Sequence, residues 1–175
     1  MHVKDKDFRI SIPEAQIREQ VKRVAMEINR DYAGQEPVFL AVLNGAFIFA
    51  ADLLREITLP CEISFVKMAS YDGEHSTGKV RDLIGLDSNI TDRPVIIIED
   101  IVDTGLTMAH MLDTLRKQKP KSIDICTLLL KPDKLCVDID VRYRCLEIPN
   151  DFIVGYGLDY NQQGRNTRDI YTLQS

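Results

Sequence analysis

Glu99 and Asp100 close a run of apolar residues, and a loop of small and hydroxylated residues follows: Val95-Ile96-Ile97-Ile98-Glu99-Asp100-Ile101-Val102-Asp103-Thr104-Gly105-Leu106-Thr107. Two adjacent carboxylates at the end of a buried strand are costly without partners. Carboxylates only accept hydrogen bonds, so the pair suits a vicinal diol such as a ribose, and also a hard cation such as magnesium. In the loop, Gly105 permits a strained backbone and a close approach. Successive N–H groups ahead of a helix form an anion cradle, and the hydroxyls of Thr104 and Thr107 add donors. Diol acceptors beside phosphate donors fit a ribose 5-phosphate. A generic strand–turn–helix with acids at a sheet edge has the same outline, and receiver-type signalling domains also carry an Asp at a strand end. The stretch alone leaves these readings open.

Several other chemistries are disfavoured. G-x-x-x-x-G-K-[ST] is absent, and no G-x-G-x-x-G follows a strand, which argues against a P-loop nucleotidase and a dinucleotide site. The net charge is −5 and Lys and Arg do not cluster, so nucleic acid is not an expected partner. No apolar run approaches the roughly 20 residues of a membrane span, so no membrane contact is expected. Met1-His2-Val3-Lys4-Asp5-Lys6 has no apolar core behind it and does not read as a signal peptide. The four cysteines (Cys61, Cys126, Cys136, Cys145) show no C-x-x-C spacing and lie far from the three histidines, which argues against zinc. Reduced thiols in a cytoplasm are the expectation, with Cys126 a small core residue.

The elements that must hold this loop alternate between strand and helix, the pattern of an α/β fold with a mostly parallel sheet. The 175 residues fit one domain with a sizeable core. Ser11 is expected to cap a helix with Pro13 in its first turn and Glu14 completing a capping box. Ile17, Val21, Val24, Ala25 and Ile28 fall on one face of it, and it ends near Gly34. Val38–Leu43 is a strand, Asn44-Gly45 a turn, Ala46–Glu56 a helix, and Cys61–Met68 a strand. Residues 70 to 93 are polar and aperiodic, either a functional lid or a plain loop. Val95–Glu99 is a strand, Thr107–Lys117 a helix with Met108, Met111, Leu112 and Leu115 inward, and Ile123–Leu130 a strand. Phe152 to Tyr160 reads as a short strand and turn, and Ile170–Leu173 as an edge strand.

Glu99 to Thr107 resembles the phosphoribosyl pyrophosphate (PRPP) motif of the type I phosphoribosyltransferases, and its Glu-Asp, Asp-Thr-Gly form resembles the hypoxanthine-guanine branch. Leu43-Asn44-Gly45-Ala46, Ser70-Tyr71, Lys131-Pro132, Phe152 to Tyr160 and Arg165 match in order across nearly the whole chain. The resemblance implies a twisted, mostly parallel sheet flanked by helices. A small hood would come from the N-terminal segment and about residues 145–175, and a mobile lid from about 70–93, beginning at Ser70 and Tyr71.

It also implies roles. Glu99 and Asp100 would bind the ribose hydroxyls, and Asp103, Thr104, Gly105, Leu106 and Thr107 the 5′-phosphate. Asp103 would be the general base near N7 of the purine; read without the family, it is a turn acid capping the next helix. Lys131 would donate to the exocyclic oxygen of a 6-oxopurine; by itself it reads as a solvated lysine at a strand end. Phe152 would stack on the base and the Ile153 backbone would meet its edge. Asp159 would lie at the purine site and, with Glu99 and Asp100, serve magnesium as cofactor. Arg165, Asn44 and Gly45 would hold pyrophosphate. The family more often has a basic residue at the position of Asn44, so a side-chain cation is missing there. A non-proline cis peptide is expected at Asn44-Gly45.

The implied reaction transfers the phosphoribosyl group of PRPP to N9 of hypoxanthine or guanine, giving IMP or GMP and pyrophosphate. A homodimer or homotetramer is expected. The alternatives are a PRPP- or nucleotide-sensing regulator of the same fold, and a transferase preferring another base such as xanthine or adenine.

Overall fold

A computed structural model of the chain describes residues 1–69, 81–86 and 88–174. Its centre is a six-stranded sheet built from β-branched and other apolar runs. In chain order the elements are β1 (His2–Val3), β2 (Lys6–Ile12), α1 (Glu14–Asp31), β3 (Val38–Leu43), α2 (Phe47–Glu56), β4 (Glu62–Ala69), β5 (Arg81–Ile84), β6 (Pro94–Val102), α3 (Leu106–Arg116), β7 (Ser122–Leu130), β8 (Tyr143–Glu147), β9 (Ile153–Val154) and β10 (Ile170–Leu173). The main sheet has the order β5-β4-β3-β6-β7-β8. All its pairings are parallel except that of β5 with β4.

Burial on both faces explains the unbroken apolar runs of β3 and β6. Phe39, Ala41, Ile96 and Ile98 pack on one side with Ile17, Val21, Val24, Ala25 and Ile28 of α1 and Phe49, Ala50 and Leu53 of α2. Leu40, Val95 and Ile97 pack on the other with Met108, Met111, Leu112 and Leu115 of α3. The inward faces of α1 and α3 are those their spacing predicts. Among the described residues, no helix is long and apolar enough to cross a membrane.

The second sheet is an antiparallel hood of order β1-β2-β10-β9, so the two ends of the chain form one unit. Three expectations change here. The segment Ile170–Leu173 is an inner strand and not an edge, because β2 covers the side away from β9. Ser11 does not cap α1: β2 runs through Ile12, and the Ser11 hydroxyl donates to the Ile170 carbonyl at 3.2 Å. The N–H of Glu14 is met instead by Asp169 Oδ1 at 2.8 Å, from the hood. Finally, Tyr143–Glu147 belongs to the main sheet beside β7, so the C-terminal part of the hood starts after Glu147 and not near 145.

Ser70 and Tyr71, where the lid was expected to begin, lie outside the described residues. The far end of that stretch is tied to the body. Arg81–Ile84 pairs with β4, Ser88 and Ser64 share a hydroxyl–hydroxyl hydrogen bond of 2.6 Å, and Ile90 is fully buried.

Candidate active site

The pairing of β6 with β3 stops at Ala41 and Ile98, while its pairing with β7 continues to Val102 and Leu130. Past Ile98 the β3 side of the strand is therefore free of a ladder, and Glu99 and Asp100 occupy that position. Among the described residues, the buried polar side chains are Glu99, Thr127 and Lys131, and all three lie at this end of the sheet. A polar side chain is kept in such a place only if something satisfies it. Glu99 accepts the Asp100 N–H at 3.1 Å, and Asp100 accepts the Ile101 N–H at 2.8 Å. Burial, and then the neighbouring Asp100 charge, push the Glu99 carboxyl well above the usual carboxylate range. Burial raises Asp100 too, against the opposing pull of its hydrogen bonds and of the Arg165 guanidinium.

Two glycines bring separate loops onto Asp100. A Cβ at Gly45 would lie 1.5 Å from Asp100 Oδ2, so only glycine lets the turn after β3 rest against the carboxylate. A Cβ at Gly157 would lie 2.1 Å from the Gly45 carbonyl oxygen, and Gly157 has φ +103°, so the hood turn closes on the first turn in the same way. Arg165 Nη1 donates to the Gly157 carbonyl at 2.8 Å, and Arg165 Nη2 pairs with Asp159 Oδ1 at 2.7 Å. Asn44, Gly45, Asp100, Asp159 and Arg165, distant in sequence, thus line one corner. The cis peptide lies at Leu43–Asn44, one bond before the expected Asn44-Gly45, since the turn begins directly at the last residue of β3.

The loop after β6 leads straight into α3. Gly105 has φ +82° and caps α3, and the first turn of that helix leaves N–H groups without intrahelical acceptors. Leu106 N–H leans on Thr104 Oγ1 at 3.4 Å. The helix starts at Leu106, one residue before the expected Thr107.

The segment after β7 is stitched to this loop. Lys131 N–H donates to the Val102 carbonyl at 3.0 Å, and Cys136 N–H to the Thr104 carbonyl at 3.1 Å. Between these ties, Lys131 Nζ lies 3.7 Å from Asp103 Oδ2. Lys134 Nζ donates to Asp103 Oδ2 at 3.0 Å and stands 2.9 Å from Oδ1, off the hydrogen-bonding direction. Oδ1 is buried and receives no hydrogen bond. The third acid of the motif is therefore a carboxylate ion-paired with Lys134, with Lys131 close behind.

Phe152, in the hood, is 46% exposed. Tyr160 meets it edge-on at 5.6 Å between centroids, and Phe8 lies at 6.1 Å, tilted. A ring propped on one side and open on the other is a stacking platform. Ile153, next to it, is buried and pairs with Thr172.

Two site residues escaped the sequence reading. Lys134 offers no local signal, because its acid is 31 positions earlier. Thr127, whose Oγ1 lies 3.3 Å and 2.9 Å from the carbonyls of Glu99 and Leu129, was visible as the one hydroxyl in an apolar run. For magnesium, the buried Glu99 and Asp100 fit a hard cation. Asp159 does not join them: it is held by Arg165 and by the Gln162 N–H at 2.8 Å. Among the described residues, no three carboxylate, His or Cys side chains converge as a ligand set.

With this geometry, likeness to known proteins carries weight. The family model for the phosphoribosyl transferase domain matches residues 13–161. A hypoxanthine-guanine phosphoribosyltransferase of Streptococcus thermophilus is 40% identical over 172 residues, 97% of this chain and 96% of that protein. One from Mycobacterium avium is 42% identical over 90% of this chain and 81% of its own length. The crystal structure of a hypoxanthine-guanine phosphoribosyltransferase from Bacillus anthracis superposes with a TM-score of 0.85 at 43% identity, covering 97% of this chain and 98% of the other. A hypoxanthine phosphoribosyltransferase of Trypanosoma cruzi gives 0.88 at 35% identity over 97% and 96%. The chain belongs to the phosphoribosyltransferase family and has its type I fold.

Proposed function

We infer that this chain is a purine-salvage enzyme, a hypoxanthine-guanine phosphoribosyltransferase. It transfers the 5-phosphoribosyl group of PRPP to N9 of a 6-oxopurine and releases pyrophosphate. The observation that carries the reading is the Asp103 carboxylate beside Lys131, on the loop that follows the buried Glu99–Asp100 pair.

Each part then has a task. Glu99 and Asp100 accept the ribose hydroxyls, and the loop Asp103 to Thr107 holds the 5′-phosphate with backbone N–H groups. Gly45, Asn44 and Arg165 face the pyrophosphate, for which Arg165 has a fork of donors. Phe152 stacks on the base and the Ile153 backbone meets its edge. Lys131 donates to O6, which favours hypoxanthine, guanine or xanthine over adenine, whose 6-amino group is itself a donor. Asp103 takes the proton from the purine N7 as N9 attacks C1′ and the bond to pyrophosphate breaks. The ribose gains positive charge as that bond loosens, and the buried carboxylates stabilise it. Magnesium, brought with PRPP, would neutralise pyrophosphate oxygens, and Glu99 and Asp100 would be the residues to hold it.

The enzyme is cytoplasmic, in keeping with four free thiols. It works as a homodimer or homotetramer; Ile63 and Phe65, two apart on β4 and exposed, give one face an apolar surface for a second copy. An absorbance assay with magnesium, PRPP and each of hypoxanthine, guanine, xanthine and adenine tests the function. Turnover of hypoxanthine or guanine is expected. No turnover with any base would leave a PRPP-sensing regulator, and turnover of adenine alone would overturn the role of Lys131.

A further inference from the structure

Two lysines reach Asp103, and they reach it differently. Lys131 is almost wholly buried and stops at 3.7 Å, outside hydrogen-bonding range. Lys134 is a third exposed and makes the hydrogen bond, 3.0 Å to Oδ2. The short 3-10 turn Pro132–Lys134 fixes the separation of the two ammonium groups. Lys134 N–H closes it onto the Lys131 carbonyl at 3.1 Å, and Pro132 stiffens it. The two ties to the loop after β6 then hold the turn against the phosphate site.

We propose that Lys134 is a positioning residue for the transfer reaction: it is the standing counter-ion of Asp103, and it leaves Lys131 free for the carbonyl at C6 of the purine. The proposal rests on the roles given to Asp103 and Lys131 above. An acceptor for the purine proton must be held in place, and Lys134 anchors the Asp103 carboxylate, its Nζ 3.0 Å from Oδ2 and 2.9 Å from Oδ1. With Lys131 as the only cation, the charge of Asp103 would draw its ammonium away from the base. A second ammonium divides the work, one for the carboxylate and one for the substrate oxygen. Lysine, a compact charge with rotatable donors, suits the first task, and arginine can replace it.

Steady-state kinetics of Lys134→Ala, Lys134→Arg, Asp103→Asn and the double variant Lys134→Ala/Asp103→Asn decide the matter. Lys134→Ala is expected to lower kcat about 10- to 100-fold while the KM for PRPP stays within about twofold, and Lys134→Arg to recover most of the rate. In the Asp103→Asn background the same change is expected to cost less than about twofold, since its effect runs through Asp103. An equal cost in both backgrounds, a rate at or above wild type in Lys134→Ala, or no recovery in Lys134→Arg would overturn the proposal. Should the alanine variant not fold, Lys134→Gln removes the charge and keeps the length: a reduced rate supports the proposal and a wild-type rate overturns it. An unaffected Lys134 variant of an active enzyme removes this proposal alone, whereas a wild-type protein inert towards all 6-oxopurines removes the reaction itself.

Discussion

Gly45 rests so closely on Asp100 that a single methyl group at Gly45 would fall 1.5 Å from Oδ2. The atom it would strike is the end of a side chain, which can swing aside, whereas a methyl at Gly157 would strike the Gly45 backbone at 2.1 Å. The two positions should therefore fail differently. Gly45→Ala is expected to fold with a near wild-type Tm and to lose about 100-fold or more in kcat/KM for PRPP, as a displacement of about 1 Å can cost that much. Gly157→Ala should lose both, because the backbone must move and its φ of +103° is strained for alanine. Thermal unfolding beside kinetics separates the cases. A Gly45→Ala protein with normal PRPP kinetics would mean that Asp100 does not hold the ribose.

The buried acid pair predicts a conflict between stability and activity. The folded Glu99 carboxyl titrates well above its usual 4.5, through burial and the Asp100 charge. A group whose pKa is raised on folding supports the fold below its unfolded pKa, and that support is lost as pH rises towards the folded value. At neutral pH the pair is therefore a cost to the free enzyme. Glu99→Gln and Asp100→Asn keep an oxygen for the N–H groups of Asp100 and Ile101 and cannot charge. They are expected to raise Tm at pH 7.5, by roughly 2–4 °C for each kcal/mol regained, with the gain shrinking towards pH 4.5 as the wild-type acids take up protons. Both should be nearly inactive. A lower Tm than wild type at pH 7.5 would contradict this account.

Asp103→Asn tests the proton acceptor directly. The amide is nearly isosteric, so the cradle of the 5′-phosphate is kept, but it cannot take a proton. kcat should fall by about 100- to 10,000-fold while PRPP still binds, measured by calorimetry or protection of Tm. Full activity in this variant would remove Asp103 as the general base.

Which of these features could be read from the chain depends on how local their cause is. The strands β3, β6 and β7 were legible because burial on both faces demands long apolar runs, and α1 and α3 because their inward faces repeat with helical spacing. The motif Glu99 to Thr107 was legible because strand, acids, glycine and hydroxyls are contiguous. β2 and β8 were missed: β2 buries only Phe8 and Ile12 of its seven residues, and Tyr143-Arg144-Cys145 of β8 alternates over too few residues to stand out. The cap of α1 was misassigned because Ser11, the right type at the right distance, is consumed by the hood sheet. Lys134 was missed because an ion pair across 31 residues leaves no pattern.

The four thiols divide by burial. Cys126 and Cys145 are buried, and burial pushes the Cys145 thiol up to about 12 and the Cys126 thiol well above its ordinary value. Cys61 and Cys136 are exposed, although partial burial also raises Cys61. The thiolate is the reacting form, so a thiol with a pKa near 12 presents about one part in ten thousand of it at pH 8. A disulfide reagent at pH 8 should therefore titrate two thiols in the native protein, Cys136 faster than Cys61, and four after unfolding in guanidinium. Cys126 on β7 and Cys145 on β8 are buried in the same cluster as the inward face of α1, so their protection also reports whether α1 stays seated on these strands. Rapid reaction of a third thiol in the native state would show that α1 lifts away from β7 and β8.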